Sequence, residues 1–390
     1  MRICSVMLAA LMIFTLNICA FAEDDALPTA MLVDPSIPCE SAILAEPTTG
    51  LIMFEKAPDE LHAPASITKV MTLLLVMEAL DRGEIALDDI VTCSEHASSM
   101  GGSQIWFEPG EEMTVDELLR AAAIASANDA DVALGEHLAG SEEAFVSQMN
   151  DRAKELGMVN TTFKNATGLD AEGHLTTARD IMIMSGELLK HKKITEYTTV
   201  WMDSLRNGET QLVNTNKLIK HYNGATGLKT GTTDDAKYCL AASAERDGMA
   251  LVAVVLGAET TNERFGSAKG LLDYGFSEYE MRPLPENDAQ IESVAVTGGE
   301  KRTVSVTAAP PETVLTEKRA GELILTHTLA ESLEAPVKAG DVVGECEVTA
   351  DGEVLCRYEL TAAEDVGKMT LPIAFKMALC AASAMCRVDF

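Results

Sequence analysis

Hydrophobic positions are spaced unevenly along the chain, and the spacing predicts its elements. From Val70 to Leu80 every residue but Thr72 and Glu78 is apolar. That run predicts a helix opened by Pro64-Ala65-Ser66, ending near Asp81 before Gly83, and buried on most of its sides. Upstream, Ala42 to Glu46 and Leu51 to Glu55 flank Pro47-Thr48-Thr49-Gly50, which reads as a hairpin. Thr114-Val115-Asp116-Glu117 is a capping box that starts a helix through an Ala-rich turn to Ala125. Ser126-Ala127-Asn128-Asp129 interrupts it with cap-forming residues, and a further helix is expected from Ala130. Ser141 to Leu156, closed by Gly157, and Thr177 to about Lys190 complete a mostly helical middle.

The pattern changes near Gly224. Leu228 to Thr232, Tyr238 to Ala244 and Ala250 to Leu256 read as strands, the last two joined by Asp247-Gly248. A helix from Thr261 to Leu272, ended by Gly275, should follow. Strands at both ends of a helical middle imply an α/β (α+β) domain, with a largely antiparallel sheet covered by helices. From Pro283 to Thr370, short alternating runs such as Val304-Ser305-Val306-Thr307 predict a small C-terminal all-β domain.

Both termini depart from this pattern. Residues 1–22 have a charged start, an apolar middle and Ala20-Phe21-Ala22 ahead of Glu23-Asp24-Asp25, the order of a secretory signal peptide. Residues 371–390 are apolar except for a stripe of Lys376, Ser383 and Arg387 and for Asp389 near the end. The ten uncharged residues between Lys376 and Arg387 span about 15 Å as a helix, half of a hydrocarbon core of about 30 Å. The tail is therefore expected to lie on a membrane surface as an amphipathic helix rather than cross it. The expected division is 1–22 signal peptide, 23–282 catalytic domain, 283–370 β-rich domain and 371–390 tail.

Composition narrows the partners. Across 390 residues, 61 Asp and Glu against 30 Lys and Arg leave a formal charge of -31. Nucleic acid is disfavoured as a partner, because phosphate binding depends on cationic side chains. Arg2 is the only charge in residues 1–22, so the acidity belongs to the exported remainder. Seven cysteines lie beyond the leader, Cys39, Cys93, Cys239, Cys346, Cys356, Cys380 and Cys386, at scattered spacings that predict free thiols. Cys346 and Cys356 could meet across a hairpin. No histidine pair has metal-ligand spacing, so neither metal nor cofactor is expected.

Three short motifs carry candidate chemistry: Ser66-Ile67-Thr68-Lys69, Ser126-Ala127-Asn128 and Lys229-Thr230-Gly231. On a helix, residues three apart share a face, so the Lys69 amine can reach the Ser66 hydroxyl. For Lys69 to take that proton its pKa must fall, through burial and a second cation, Lys229. Ser126 and Asn128 would then relay a proton and orient Lys69 and the substrate.

Set beside Phe163-Lys164-Asn165-Ala166-Thr167-Gly168-Leu169-Asp170 and Thr176-Thr177-Ala178-Arg179-Asp180, these motifs resemble the penicillin-recognising serine peptidases. Within that superfamily, residues 35 to 280 look like the low-molecular-mass D-alanyl-D-alanine carboxypeptidases. The resemblance implies a penicillin-binding-protein-like catalytic domain that acts on peptidoglycan stem peptides, is trapped by β-lactams and serves cell-wall remodelling. It further implies that Ser66 is the nucleophile and Lys69 the general base, with the N–H groups of Ser66 and Thr232 as oxyanion hole. Lys229 and Thr230 would bind the terminal carboxylate region, Gly231 completing their motif, and Arg264 stands where family members carry an Arg near that carboxylate. Thr232 replaces the His that some relatives have. A β-lactamase and a non-catalytic peptidoglycan- or β-lactam-binding module are the alternatives.

Overall fold

The computed structural model describes residues 37–285 and 292–385, with backbone alone from 380 onward. The expected leader, Cys386 and Arg387 lie outside the described residues. A five-stranded antiparallel sheet runs in the order Ile52–Lys56, Ser41–Ala45, Met249–Ala258, Lys237–Arg246, Ala225–Thr233. The N-terminal hairpin thus pairs with the last strand of the domain, and the Lys229 strand forms an edge.

Both faces of the sheet are covered, which is why its central strands read as unbroken apolar runs. Ile43, Ala241, Val252 and Val254 pack into the large helical core, while Leu44, Leu240, Ala253 and Val255 pack with Ala268, Leu271 and Leu272 of the helix on the other face. That helix spans Thr261–Glu278 and does not end at Gly275. A Cβ on Gly275 would lie 2.6 Å from Leu251 Cδ1. The glycine lets the helix approach the sheet and is no terminator.

Within the helical layer, Lys69–Asp81 is buried from Lys69 through Met77 with Leu75 included, as its composition predicts. Thr114 forms the expected capping box with Glu117, and Ser141 and Thr177 cap the helices Glu142–Glu155 and Ala178–Lys190. Two details differ from expectation. The Ala-rich stretch Ala121–Ala125 is a π turn, and the next helix begins at Asn128, not Ala130. Residues 157–177 form an irregular loop held by bridges between Thr162 and Leu175 and between His62 and Thr176.

The C-terminal part is all β, apart from a final helix, Leu371–Met385. Tyr279–Pro283 pairs with Thr313–Glu317, and a four-stranded sheet combines Val306–Ala308, Glu353–Ala362, Val342–Ala350 and Ile324–Leu329. Cys346 stands opposite Tyr358 and Cys356 opposite Val348, so the two thiols are out of register. The five cysteines whose side chains are described are free.

Candidate active site

The site is built where the start of the Lys69 helix meets the edge strand. Ala65 takes a φ of 48°, and a tight 3-10 turn over Ala65–Thr68 precedes the α-helix at Lys69. Ser66 is therefore not on a regular α-helix as expected. The relation to Lys69 survives, because a 3-10 turn stacks residues three apart. Lys69 Nζ donates to Ser66 Oγ at 3.2 Å, to Asn128 Oδ1 at 2.6 Å and to the Thr167 carbonyl at 2.7 Å. Burial pushes its pKa down to about 8, against the raising influence of Asp131 and Asp129.

Thr167 reaches Lys69 because Gly168 has a φ of 85°, and a Cβ there would lie 1.8 Å from the Ala65 carbonyl oxygen. The loop thus rests directly on the backbone ahead of Ser66. Asn128 is fixed from a third side. Its Nδ2 donates to the Gly101 carbonyl at 2.6 Å, and its N–H donates to the Ser103 carbonyl at 2.7 Å. Just ahead of it the π turn ends in Ser126, whose φ is 63° and which is 4% exposed. The neighbouring Asp129 accepts from the N–H groups of Ile105 and Phe107, pinning the 103–107 segment beside Asn128.

Asp131 was not singled out from the sequence, yet it is fully buried one turn beyond Asn128. Its Oδ2 accepts from Thr72 Oγ1 at 3.4 Å, and its Oδ1 has no partner among the described residues. Burial raises its pKa to about 7, with Lys69 and then Lys229 opposing. The signal available in the sequence was its spacing of three from Asn128 within an otherwise apolar helix face.

On the strand, Lys229 is buried, and its Nζ donates to the Thr230 carbonyl at 3.1 Å. Its pKa lies well below the ordinary lysine value, through burial first and repulsion from Lys69 second. Thr230 Oγ1 donates to Thr215 Oγ1 at 2.7 Å, a partner the motifs do not reveal. Gly231 lies so close to the turn that a Cβ would come within 3.1 Å of Ser66 N. Thr232 Oγ1 donates to the Gly231 carbonyl at 2.7 Å. Arg264 is no surface residue. It is buried behind the strand and donates to Gly231 O at 3.2 Å and Thr232 Oγ1 at 3.1 Å.

The structure thus brings Ser66, Lys69, Asn128 and Thr167 into direct contact, with Gly231 against the same turn and Arg264 behind Gly231 and Thr232. Comparison with known proteins gives the family. The family model for D-alanyl-D-alanine carboxypeptidases matches residues 29–260, and that for the penicillin-binding protein 5 C-terminal domain matches residues 279–368. The chain is 45% identical over 372 residues to the D-alanyl-D-alanine carboxypeptidase DacF of Bacillus subtilis, covering 94% of this chain and 95% of that one. It is 36% identical over 353 residues to DacC of Escherichia coli, covering 87% and 88% of the two chains. Penicillin-binding protein 5 from Haemophilus influenzae superposes with a TM-score of 0.77 at 29% identity, over 87% of this chain and 100% of that one. Penicillin-binding protein D2 from Listeria monocytogenes, solved in an ampicillin-bound form, gives a TM-score of 0.57 at 32% identity, over 63% and 100%. The chain belongs to the D-alanyl-D-alanine carboxypeptidase family.

Proposed function

We propose that the protein removes the terminal D-alanine of peptidoglycan stem peptides through an acyl-enzyme at Ser66, and that β-lactams acylate the same oxygen. The observation that carries this reading is the contact of Lys69 Nζ with Ser66 Oγ at 3.2 Å in a buried site. A charged lysine has three N–H donors and here three acceptors; a neutral one keeps two donors and a lone pair. Asn128 and Thr167 make the two shorter bonds and retain the donors, so the lone pair turns toward Ser66. Neutral Lys69 then takes the hydroxyl proton as Ser66 Oγ attacks the carbonyl carbon between the two D-alanines. The oxyanion is held by the N–H groups of Ser66 and Thr232. The C–N bond breaks, free D-alanine leaves with a proton, and water hydrolyses the ester. Ser126 relays the proton, while Lys229, Thr230, Gly231 and Arg264 shape the end of the cleft that takes the substrate's carboxylate. Acyl transfer by this route calls for no cofactor.

We further propose that residues 1–22 direct export, that 23–282 and 283–370 act as catalytic and β-rich domains, and that the tail docks on the outer face of a membrane. The tail reading is supported by Leu371 and Phe375, which are 88% and 70% exposed on the last helix. No helix among the described residues is long and apolar enough to cross a membrane.

Intact-mass analysis with a β-lactam tests the central claim. Wild type should gain one adduct and Ser66→Ala none; unchanged labelling of the variant would refute the nucleophile. Release of D-alanine from a stem-pentapeptide analogue separates an enzyme from a binding module.

A further inference from the structure

Beside the Ser66 turn lies a second concavity, with a volume of about 770 Å³. Three of the segments that wall it each lie three residues from a group of the candidate site, and Glu40 adds a fourth. Ala63 lies three residues before Ser66, Asp170 three after Thr167 and Asp235 three after Thr232. Three residues of chain span at most about 10 Å.

The cavity is lined by carboxylates, Glu40, Glu60, Asp170, Glu172 and Asp235. Glu40 is engaged by Lys237 at 2.8 Å and lies 3.4 Å from His62. The other four are exposed, and none has a Lys or Arg ion pair among the described residues. Lys164 borders the cleft at Gly173 and offsets part of this charge.

A second observation points to a ligand. His174, 2% exposed, lines the same cavity and reaches the catalytic turn through Nε2, 3.1 Å from Thr68 Oγ1. Its Nδ1 is buried without a partner among the described residues. Burial lowers the pKa of His174 to about 4, so it brings no positive charge to the acidic wall at neutral pH. A buried polar atom left unpaired at the wall of a polar cavity is costly unless something fills the cavity.

The dimensions suit the acyl donor. In a peptide attacked at the carbonyl of its fourth residue, the third Cα lies one step of about 3.8 Å back. A long amine-bearing side chain adds about 6 Å, a total of about 10 Å that reaches as far as these three wall segments can lie from the site. We propose that this cleft receives the cationic side-chain amine of the stem peptide's third residue and selects acyl donors in which that amine is free. The proposal rests on the reading of Ser66 as the acylated residue.

Two stem-peptide analogues ending in D-Ala-D-Ala, identical except that the third residue is lysine or Nε-acetyl-lysine, provide the test. The free amine should raise kcat/KM for D-alanine release about three- to tenfold at low ionic strength, the range expected of a few partly exposed ion pairs. The ratio should fall toward one in Glu172→Gln/Asp235→Asn. It should also fall in wild type at about 0.5 M salt. Equal kcat/KM for the two peptides in wild type, or a ratio unmoved in the double variant and by salt, would overturn the proposal. The salt series on wild type decides the matter if the variant proves unstable. A β-lactam adduct on wild type with no preference between peptides sinks the cleft alone, whereas no adduct sinks the Ser66 reading as well.

Discussion

Asp131 acts on Lys69 without appearing in any motif. Its carboxyl, with an ordinary value of 3.8, is raised to about 7. The folded protein therefore holds a proton that the unfolded chain releases between those values. The stability this contributes is present at the acid end and lost as pH climbs to about 7. Urea unfolding of Asp131→Asn should decline less than wild type across this window. The same variant removes a negative charge that holds Lys69 up. The rising limb of the acylation-pH profile, which reports neutral Lys69, should move acidward by about one unit; a limb that stays in place would separate Asp131 from Lys69. Ser66, Lys69 and Asn128 were legible because their spacings are local. Asp131 was less so: its spacing from Asn128 is a signal, but an Asp in a helix ordinarily faces water and only the tertiary fold shows this one buried.

At the scale of elements, local chemistry was legible and close packing was not. Thr114 and Glu117 announce their capping box within four residues, and the structure contains it. Gly275 looks like a helix end from its neighbours alone; its meaning depends on Leu251, which another strand supplies. The paired segments Ile90–Thr92 and Glu112–Thr114 are too short to show a period of two. Gly168 makes the sharpest prediction. Replacement by Ala adds a carbon 1.8 Å from the Ala65 carbonyl oxygen at a φ of 85°. The variant should lose about 2 kcal/mol or more in unfolding measurements, and its acylation rate should fall at least about tenfold as the Thr167 carbonyl withdraws from Lys69.

For the whole molecule, charge and the tail act against each other. The net charge of -31 repels an anionic surface, so the proposed docking of the last helix must come from apolar burial. Flotation with neutral vesicles should exceed that with anionic ones at low salt, the gap closing as salt rises, and removal of residues 371–390 should abolish both. Equal flotation of the truncated protein would refute the tail as anchor. The sheet has a further implication for how the enzyme comes into being. Ala42 pairs with Val255, so the central layer closes only when strands more than two hundred positions apart have met. Such distant pairings form slowly, because the intervening loop must be ordered first. A nascent chain already carries Ser66 and Lys69 before it has an edge strand to set against them. Reactivity is thereby withheld until that strand has been made and paired, and the architecture serves as its own safeguard against premature chemistry.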